Sequence, residues 1–278
     1  MGMPVFICCA CGTSFQEEIA PANCRICEEE RQYVPPSGQA WTTPEKLAAT
    51  HRNSWQQLEP GLFAIQTVPS FAINQRALLL RTPSGNILWD CIALLDEATH
   101  ELVAALGGLS AIAISHPHYY TTMQDWAAAF DAPIYLHAAD QDWICRSSEH
   151  VRLWDEDALA LSAEVTLVHA GGHFAGGTVL HWMADDGQGV LLAGDIVQVT
   201  PGADRVSFMW SYPNMIPLSA AEVADVAERL SPWPIERIYG AFAGQNVRSG
   251  GQDIIARSAK AYIDRIGGAA PVVENKWR

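Results

Sequence analysis

Basic charge is scarce in this sequence of 278 residues: 17 lysines and arginines stand against 31 aspartates and glutamates, a formal net charge of -14. A surface so acidic repels a phosphate backbone or an anionic bilayer, which argues against nucleic acid or membrane as a partner. Long apolar runs are missing too. No stretch approaches the roughly 18 residues that a membrane helix needs, and the start Met1-Gly2-Met3-Pro4 lacks the basic region and apolar stretch of a secretory signal. Gly2 is followed by Phe6 where a myristoylation signal requires serine or threonine. Fixed-period repeats and low-complexity tracts are absent. The expectation is a soluble, cytoplasmic protein whose 49% apolar content fills one large domain or two modest ones.

Cysteine is plentiful but unevenly placed. Five of the seven fall within the first 27 residues, and four of those make Cys8-x-x-Cys11, twelve residues, then Cys24-x-x-Cys27. Two residues between thiolates let a tight turn aim both sulfurs at one ion, and a second such turn completes a tetrahedron. A structural zinc is the reading, ahead of redox thiols or iron; only Cys8, not Cys9, has the right spacing to Cys11. The segment has little apolar material, so its folding should depend on the metal. It resembles a zinc ribbon or rubredoxin-like knuckle. Glu28-Glu29-Glu30 argues against a nucleic-acid role for it and leaves a brace or a protein contact, on its own domain or on another subunit. Cys91 and Cys145 read as ordinary core cysteines.

Val34-Pro35-Pro36-Ser37-Gly38 marks a linker, and Thr42-x-x-Glu45 with Pro44 reads as a capping box that opens a helix to about Gln57. From Gly61 onward short apolar strands are expected at 62–68, 77–81, 86–90, 111–114, 134–136, 165–169, 178–183, 189–193 and 237–239. Helices are expected at 97–106, 123–130, 138–145, 219–230 and 252–266. The domain division that follows is a knuckle at 1–33, a linker with a helix at 34–60, and an α/β domain with mixed sheets at 61–278.

His116-Pro117-His118 emerges at the C-terminal end of an apolar strand, where ligand sites of α/β sheets gather. His173 comes from the glycine-rich turn Gly171-Gly172-His173-Phe174-Ala175-Gly176-Gly177, and Asp195 ends Leu191-Leu192-Ala193-Gly194-Asp195. Four candidate ligands at strand-to-loop junctions suggest convergence on one metal. His169 and His181 read as structural, and His51, His100 and His150 as solvated or linker residues.

With Ile87-Leu88-Trp89-Asp90 on an early hairpin, this order of motifs resembles the metallo-β-lactamase-fold hydrolase superfamily over roughly 61–267. The resemblance implies a four-layer αβ/βα sandwich of two mixed β-sheets. It also implies a site in which His116, His118 and His173 hold a metal, Asp195 bridges or ligates, and Asp90 supports a ligand histidine from behind. Departures matter as well. The family pattern H-x-H-x-D-H has Tyr120 and Thr121 in its last two places, and Ile238–Gly244 lacks the C-terminal histidine. Loss of the second metal's ligands beside an intact three-histidine set implies a site with one ion, zinc or another divalent metal such as iron or manganese.

Such a site leaves an open position where water is acidified and a carbonyl or phosphoryl oxygen is polarised. Asp195 is expected as ligand or proton acceptor, and Tyr120 as a hydrogen-bond donor to an oxyanion. His137, at another strand end, with Arg205, Phe208, Trp210 and Tyr212 are the candidate pocket residues for a small-molecule substrate. The expected activity is hydrolysis of a small ester, thioester, lactone or phosphoester. The alternative is a catalytically silent metal- or ligand-binding regulatory protein. A diiron redox protein is disfavoured because its chemistry needs the second metal.

Overall fold

The computed structural model describes residues 3–267. Among these, a seven-stranded sheet runs in the order 151–154, 134–137, 111–113, 85–89, 77–82, 62–68, 52–59. A six-stranded sheet runs 158–160, 165–169, 178–183, 189–194, 237–240, 246–247. Both are mixed: Gly85–Trp89 pairs in parallel with Ala111–Ala113 but antiparallel with Ala77–Thr82, and Gly189–Gly194 pairs in parallel with Arg237–Gly240 but antiparallel with Thr178–Met183.

Strand alternation builds the layers. Leu78, Leu80, Ile87 and Trp89 point inward and meet Leu180, Trp182, Val190 and Leu192 of the other sheet. The intervening Ala77, Leu79 and Leu88 point outward against the helices Glu97–Ala105 and Met123–Phe130. On the far side Val179, Leu191 and Ala193 meet Ala220–Leu230 and Gly251–Ile266. Strands covered on both faces are apolar at nearly every position, which is why they read as short continuous runs. The product is the expected four-layer αβ/βα sandwich.

Two expected elements differ. The helix through Gln57 stops at Thr50, and Arg52–Glu59 is instead an edge strand paired with Leu62–Val68. Asn53 and Trp55 alternate with more exposed neighbours, a period of two that a helix cannot satisfy. The N-cap is Thr43, whose hydroxyl accepts from Lys46 N at 3.4 Å, because Thr42 is engaged in a strand. The segment 138–145 is a 3-10 turn, Ala138–Trp143.

The cysteine segment folds as strands Val5–Cys8 and Ser14–Gln16 with the short helix Arg25–Glu28, and borrows its third strand, Trp41–Thr42, from beyond residue 33. It sits directly on the sandwich. Ser14 N and Oγ donate to the carbonyl of Thr121 at 3.0 and 2.9 Å, and Gly12, with a φ of 85°, passes close by: a Cβ on it would stand 3.3 Å from Ala93 and 3.4 Å from Thr121. Thr121 has a φ of 37°, costly for a β-branched residue, and this conformation presents its carbonyl to the module. Among the described residues no helix is long and apolar enough to cross a membrane.

Candidate metal centre

Two groups of potential metal ligands form among the described residues: Cys8, Cys11, Cys24 and Cys27, and His116, His118 and His173. In the first, Cys8 Sγ lies 3.6 Å from Cys27 Sγ, and Cys11 Sγ lies 3.5 Å from Cys24 Sγ. Sulfurs bound tetrahedrally at about 2.3 Å stand roughly 3.8 Å apart, so the set fits one ion with little adjustment. Cys8 also accepts from Gln39 Nε2 at 3.1 Å and Ala10 N at 3.4 Å, contacts that favour its thiolate. Hydrogen bonds from Cys11, Cys24 and Cys27 push its pKa far down. Cys9 stays half-buried outside the group, its N–H bonded to Ala40.

The histidine group lies where the ends of the two sheets meet. His116 follows the strand Ala111–Ala113, His118 lies in the 3-10 turn Pro117–Tyr119, and His173 lies in the glycine turn after Val165–His169. Their exposures are 1%, 2% and 1%, and one ring nitrogen of each lies within 4.8 Å of the others. Burial and mutual repulsion hold His116 and His118 well below the ordinary imidazole pKa, and burial holds His173 at about 4. All three are neutral at physiological pH, as ligands must be.

Two of the three rings are oriented by what holds the nitrogen turned away from the group, while His118 Nε2 is buried with no protein partner. His116 Nδ1–H donates to Ser115 Oγ at 2.8 Å, and that hydroxyl donates to Asp90 Oδ1 at 2.7 Å, which also accepts Ser115 N at 2.8 Å. This relay leaves His116 Nε2 buried with no protein partner, an orphaned lone pair facing the group. His173 Nδ1–H donates to the Met209 carbonyl at 3.0 Å, which frees Nε2, 3.3 Å from His118 Nδ1. Nitrogens bound tetrahedrally at about 2.05 Å are roughly 3.3 Å apart. The donor set therefore fits a small divalent ion. Gly194 is required here: a Cβ on it would stand 2.4 Å from Ser115 Oγ and 3.4 Å from Asp90.

Asp90 thus lies two bonds of the relay behind His116. Replacing Asp90 with alanine should lower metal affinity at the histidine group by roughly 10 to 100-fold, measured by chelator competition, because His116 loses the anchor of its tautomer and tilt. Ser115→Ala should produce an effect of similar size.

Asp195 is 6% exposed, and its carboxylate does not join the histidine group. Oδ2 accepts from Tyr119 at 2.6 Å, Oδ1 is buried without a partner, and burial raises its pKa to about 7. The tyrosine at this carboxylate is therefore Tyr119 rather than Tyr120. Successive residues of a 3-10 turn point about 120° apart, so only one of the pair can face Asp195. Tyr120 turns into the apolar cluster near Trp126 and Met123, and Asp140 and Cys145 are its titratable neighbours.

The pocket candidates separate. Phe208 is fully buried, edge-on to Tyr262 in the core behind the six-stranded sheet, and so is a packing residue rather than a pocket wall. Arg205 is exposed on the turn after Thr200. His137 stacks on His169 at 3.8 Å and accepts from Ala139 N, and burial holds it at about 4. Tyr212 and Trp210 do belong to the site: the Tyr212 hydroxyl donates to the Asp195 carbonyl at 2.9 Å and its ring lies 5.6 Å from His173, while Trp210 stacks on Arg31.

Arg31, Gln32, Ser115, Tyr119, Phe174 and Asp140 are the contributors that sequence reasoning missed. Asp140 Oδ1 accepts from Gly176 N at 2.9 Å and pins the turn that carries His173, while Phe174 lies 4.8 Å from His118. Arg31 and Gln32 come from the cysteine module and reach His173 and His118. Ser115 alone had a visible signal, as the small polar residue directly before His116.

No family model matches the sequence. A protein of Bacillus subtilis strain 168 called uncharacterized protein YmaE is 44% identical over 265 residues, covering 94% of this chain and 96% of that protein. Among solved structures, TMB-1 superposes with a TM-score of 0.58 at 13% identity over 77% of this chain and 98% of its own. A HARLDQ-motif metallo-β-lactamase mutant from Cronobacter sakazakii superposes with a TM-score of 0.51 at 17% identity, over 77% and 97%. Identities this low establish a common fold.

Proposed function

The chain belongs to the same family as YmaE of Bacillus subtilis and has the metallo-β-lactamase fold, and from this we propose that it is a metal-dependent hydrolase working with one ion at the three-histidine group. The observation that carries the proposal is the convergence of one ring nitrogen each from His116, His118 and His173, with His116 fixed by the Ser115–Asp90 relay and His173 by the Met209 carbonyl. A divalent metal there supplies Lewis acidity and a nucleophilic water at neutral pH.

The protein's own groups do the rest. Tyr119 holds one oxygen of Asp195 and leaves the other, Oδ1, as a buried acceptor for a proton released at the site. Tyr212 holds the Asp195 backbone carbonyl, which fixes the position of the residue on the strand end. The reading of a single ion is supported by Tyr120, which is packed into the core in place of a second-metal ligand. Zinc suits the four thiols, and a reducing cytoplasm would keep those thiols free to bind it. A net charge of -14 favours a small ester, thioester, lactone or phosphoester as substrate over nucleic acid.

One observation favours a second reading, a silent metal-binding protein: the imidazoles are buried, and Arg31 and Gln32 lie over them. The test is a panel of the four substrate classes on the zinc-loaded full chain. Hydrolysis requires turnover that chelation removes, zinc restores and His173→Ala lacks. Full metal occupancy without turnover on any class decides for the silent protein.

A further inference from the structure

We propose that the side-chain amide of Gln32 is the fourth ligand of the three-histidine ion, delivered by a strap of the four-cysteine module. The inference rests on the metal-site reading above and goes beyond it, because it gives the open coordination position an occupant from the protein itself.

The strap is Glu29–Gln32, which begins two residues after the thiol ligand Cys27. Its hold on the sandwich is specific. Arg31 is 7% exposed, and its guanidinium lies 3.6 Å from the Phe174 ring centre and 4.3 Å from that of Trp210, while Nη1 donates to the His173 carbonyl at 3.1 Å. Glu29 takes Arg31 Nε at 2.8 Å, so the buried cation is paired within the strap. Every carbonyl from Glu30 to Gln32 has a donor from the sandwich: Ser211 Oγ to Arg31 at 3.0 Å, and Asn214 Nδ2 to both Glu30 and Gln32 at 3.0 Å. A surface loop resting by chance on a neighbour does not have all its acceptors matched by the other side.

The result of this hold is that Gln32 Nε2 stands 3.5 Å from His118 Nδ1. That nitrogen is the one 3.3 Å from His173 Nε2, hence the one turned toward the metal position. Both separations are close to the roughly 3.3 Å between ligands of a tetrahedral ion. The amide N–H faces the imidazole lone pair. A half-turn about the terminal bond exchanges nitrogen and oxygen, and a cation selects the oxygen, the only acceptor of the two. A neutral amide oxygen is a weaker partner for a divalent ion than a carboxylate, so it closes the site at rest and yields to a substrate oxygen. The competing role, a donor to substrate with solvent as the fourth ligand, predicts a different response.

The test uses the full chain with zinc on the four cysteines and cobalt(II) on the three histidines. Gln32→Ala should change the visible cobalt spectrum, weaken cobalt binding by about 10-fold and strengthen azide binding by about 10-fold, on the scale of other ligand-field partners. Gln32→Glu should bind cobalt more tightly than the native chain and azide less tightly. Asn214→Ala, which loosens the strap without touching the amide, should shift azide binding in the same direction as Gln32→Ala and by less. An unchanged spectrum with both affinities within about twofold for Gln32→Ala would overturn the proposal and leave the three-histidine metal site standing. Equal cobalt uptake by the native chain and by His116→Ala/His118→Ala would overturn both.

Discussion

Replacing His116 and His118 together with alanine removes one metal ion per chain, leaves the ion on the cysteines, and lowers hydrolytic turnover by on the order of 10³-fold or more. The two ligand groups share no residue, so elemental analysis of the purified chain should fall from two ions to one. The size of the loss follows from the donor set. Each imidazole here is neutral, buried and oriented for one purpose, and with two of the three gone His173 alone cannot hold a divalent ion against water. The fold should survive. The substitutions lie at a loop junction outside the sheet-to-sheet core, and they delete buried rings whose Nε2 atoms have no protein partner. Unchanged metal content, or turnover within about tenfold of native, would show that the histidines do not form the catalytic centre.

Replacing Cys8 and Cys11 with serine should have the larger structural effect. The module's interior consists of the four cysteines with Phe15 and Ile26, the half-buried Ala10 and Trp41 packed against them and Ile7 turned to the sandwich, too little apolar surface to fold on its own. Binding of zinc to such peptides contributes apparent free energies of about 10–16 kcal/mol, and that binding is the folding energy of the module. Hydrogen exchange should therefore show protection lost over residues 5–42 while the sandwich keeps its own. The strap would go with the module, since Arg31 and Gln32 follow Cys27 within five residues. The three imidazoles should then react with a histidine-selective reagent that leaves them intact in the native chain. Retained protection over 5–42 after the cysteine metal is gone would refute this dependence.

Much of this architecture is legible in the residues alone, and the reasons are local. Strand ends that carry His116, His173 and Asp195 follow apolar runs that both-sided burial makes nearly continuous, so the positions stand out without any knowledge of their neighbours. Glycines at 171, 172 and 194 mark backbone with positive φ or close approach, and these flank the ligands. The edge strand Arg52–Glu59 was masked by a proline and a capping threonine just upstream, which are strong local signals for a helix that proves only seven residues long. Tyr119 and Tyr120 are chemically identical neighbours, and only the rotation of a 3-10 turn separates the one bound to Asp195 from the one in the core.

By itself, then, the sequence determined the four cysteines and the three histidines, because metal coordination needs particular side chains at short spacings or at strand ends, and both are written in the chain; that Asp195 stands apart from the histidine group was decided by the fold. The tertiary structure alone decided how the two sets communicate. Gln32 meets His118 across 86 positions and Arg31 meets the His173 carbonyl across 142. No periodicity or motif encodes contacts of that range. They arise when the cysteine module docks on Thr121, Ser211 and Asn214, and the packing of that interface, not any local propensity, lays the strap over the metal site.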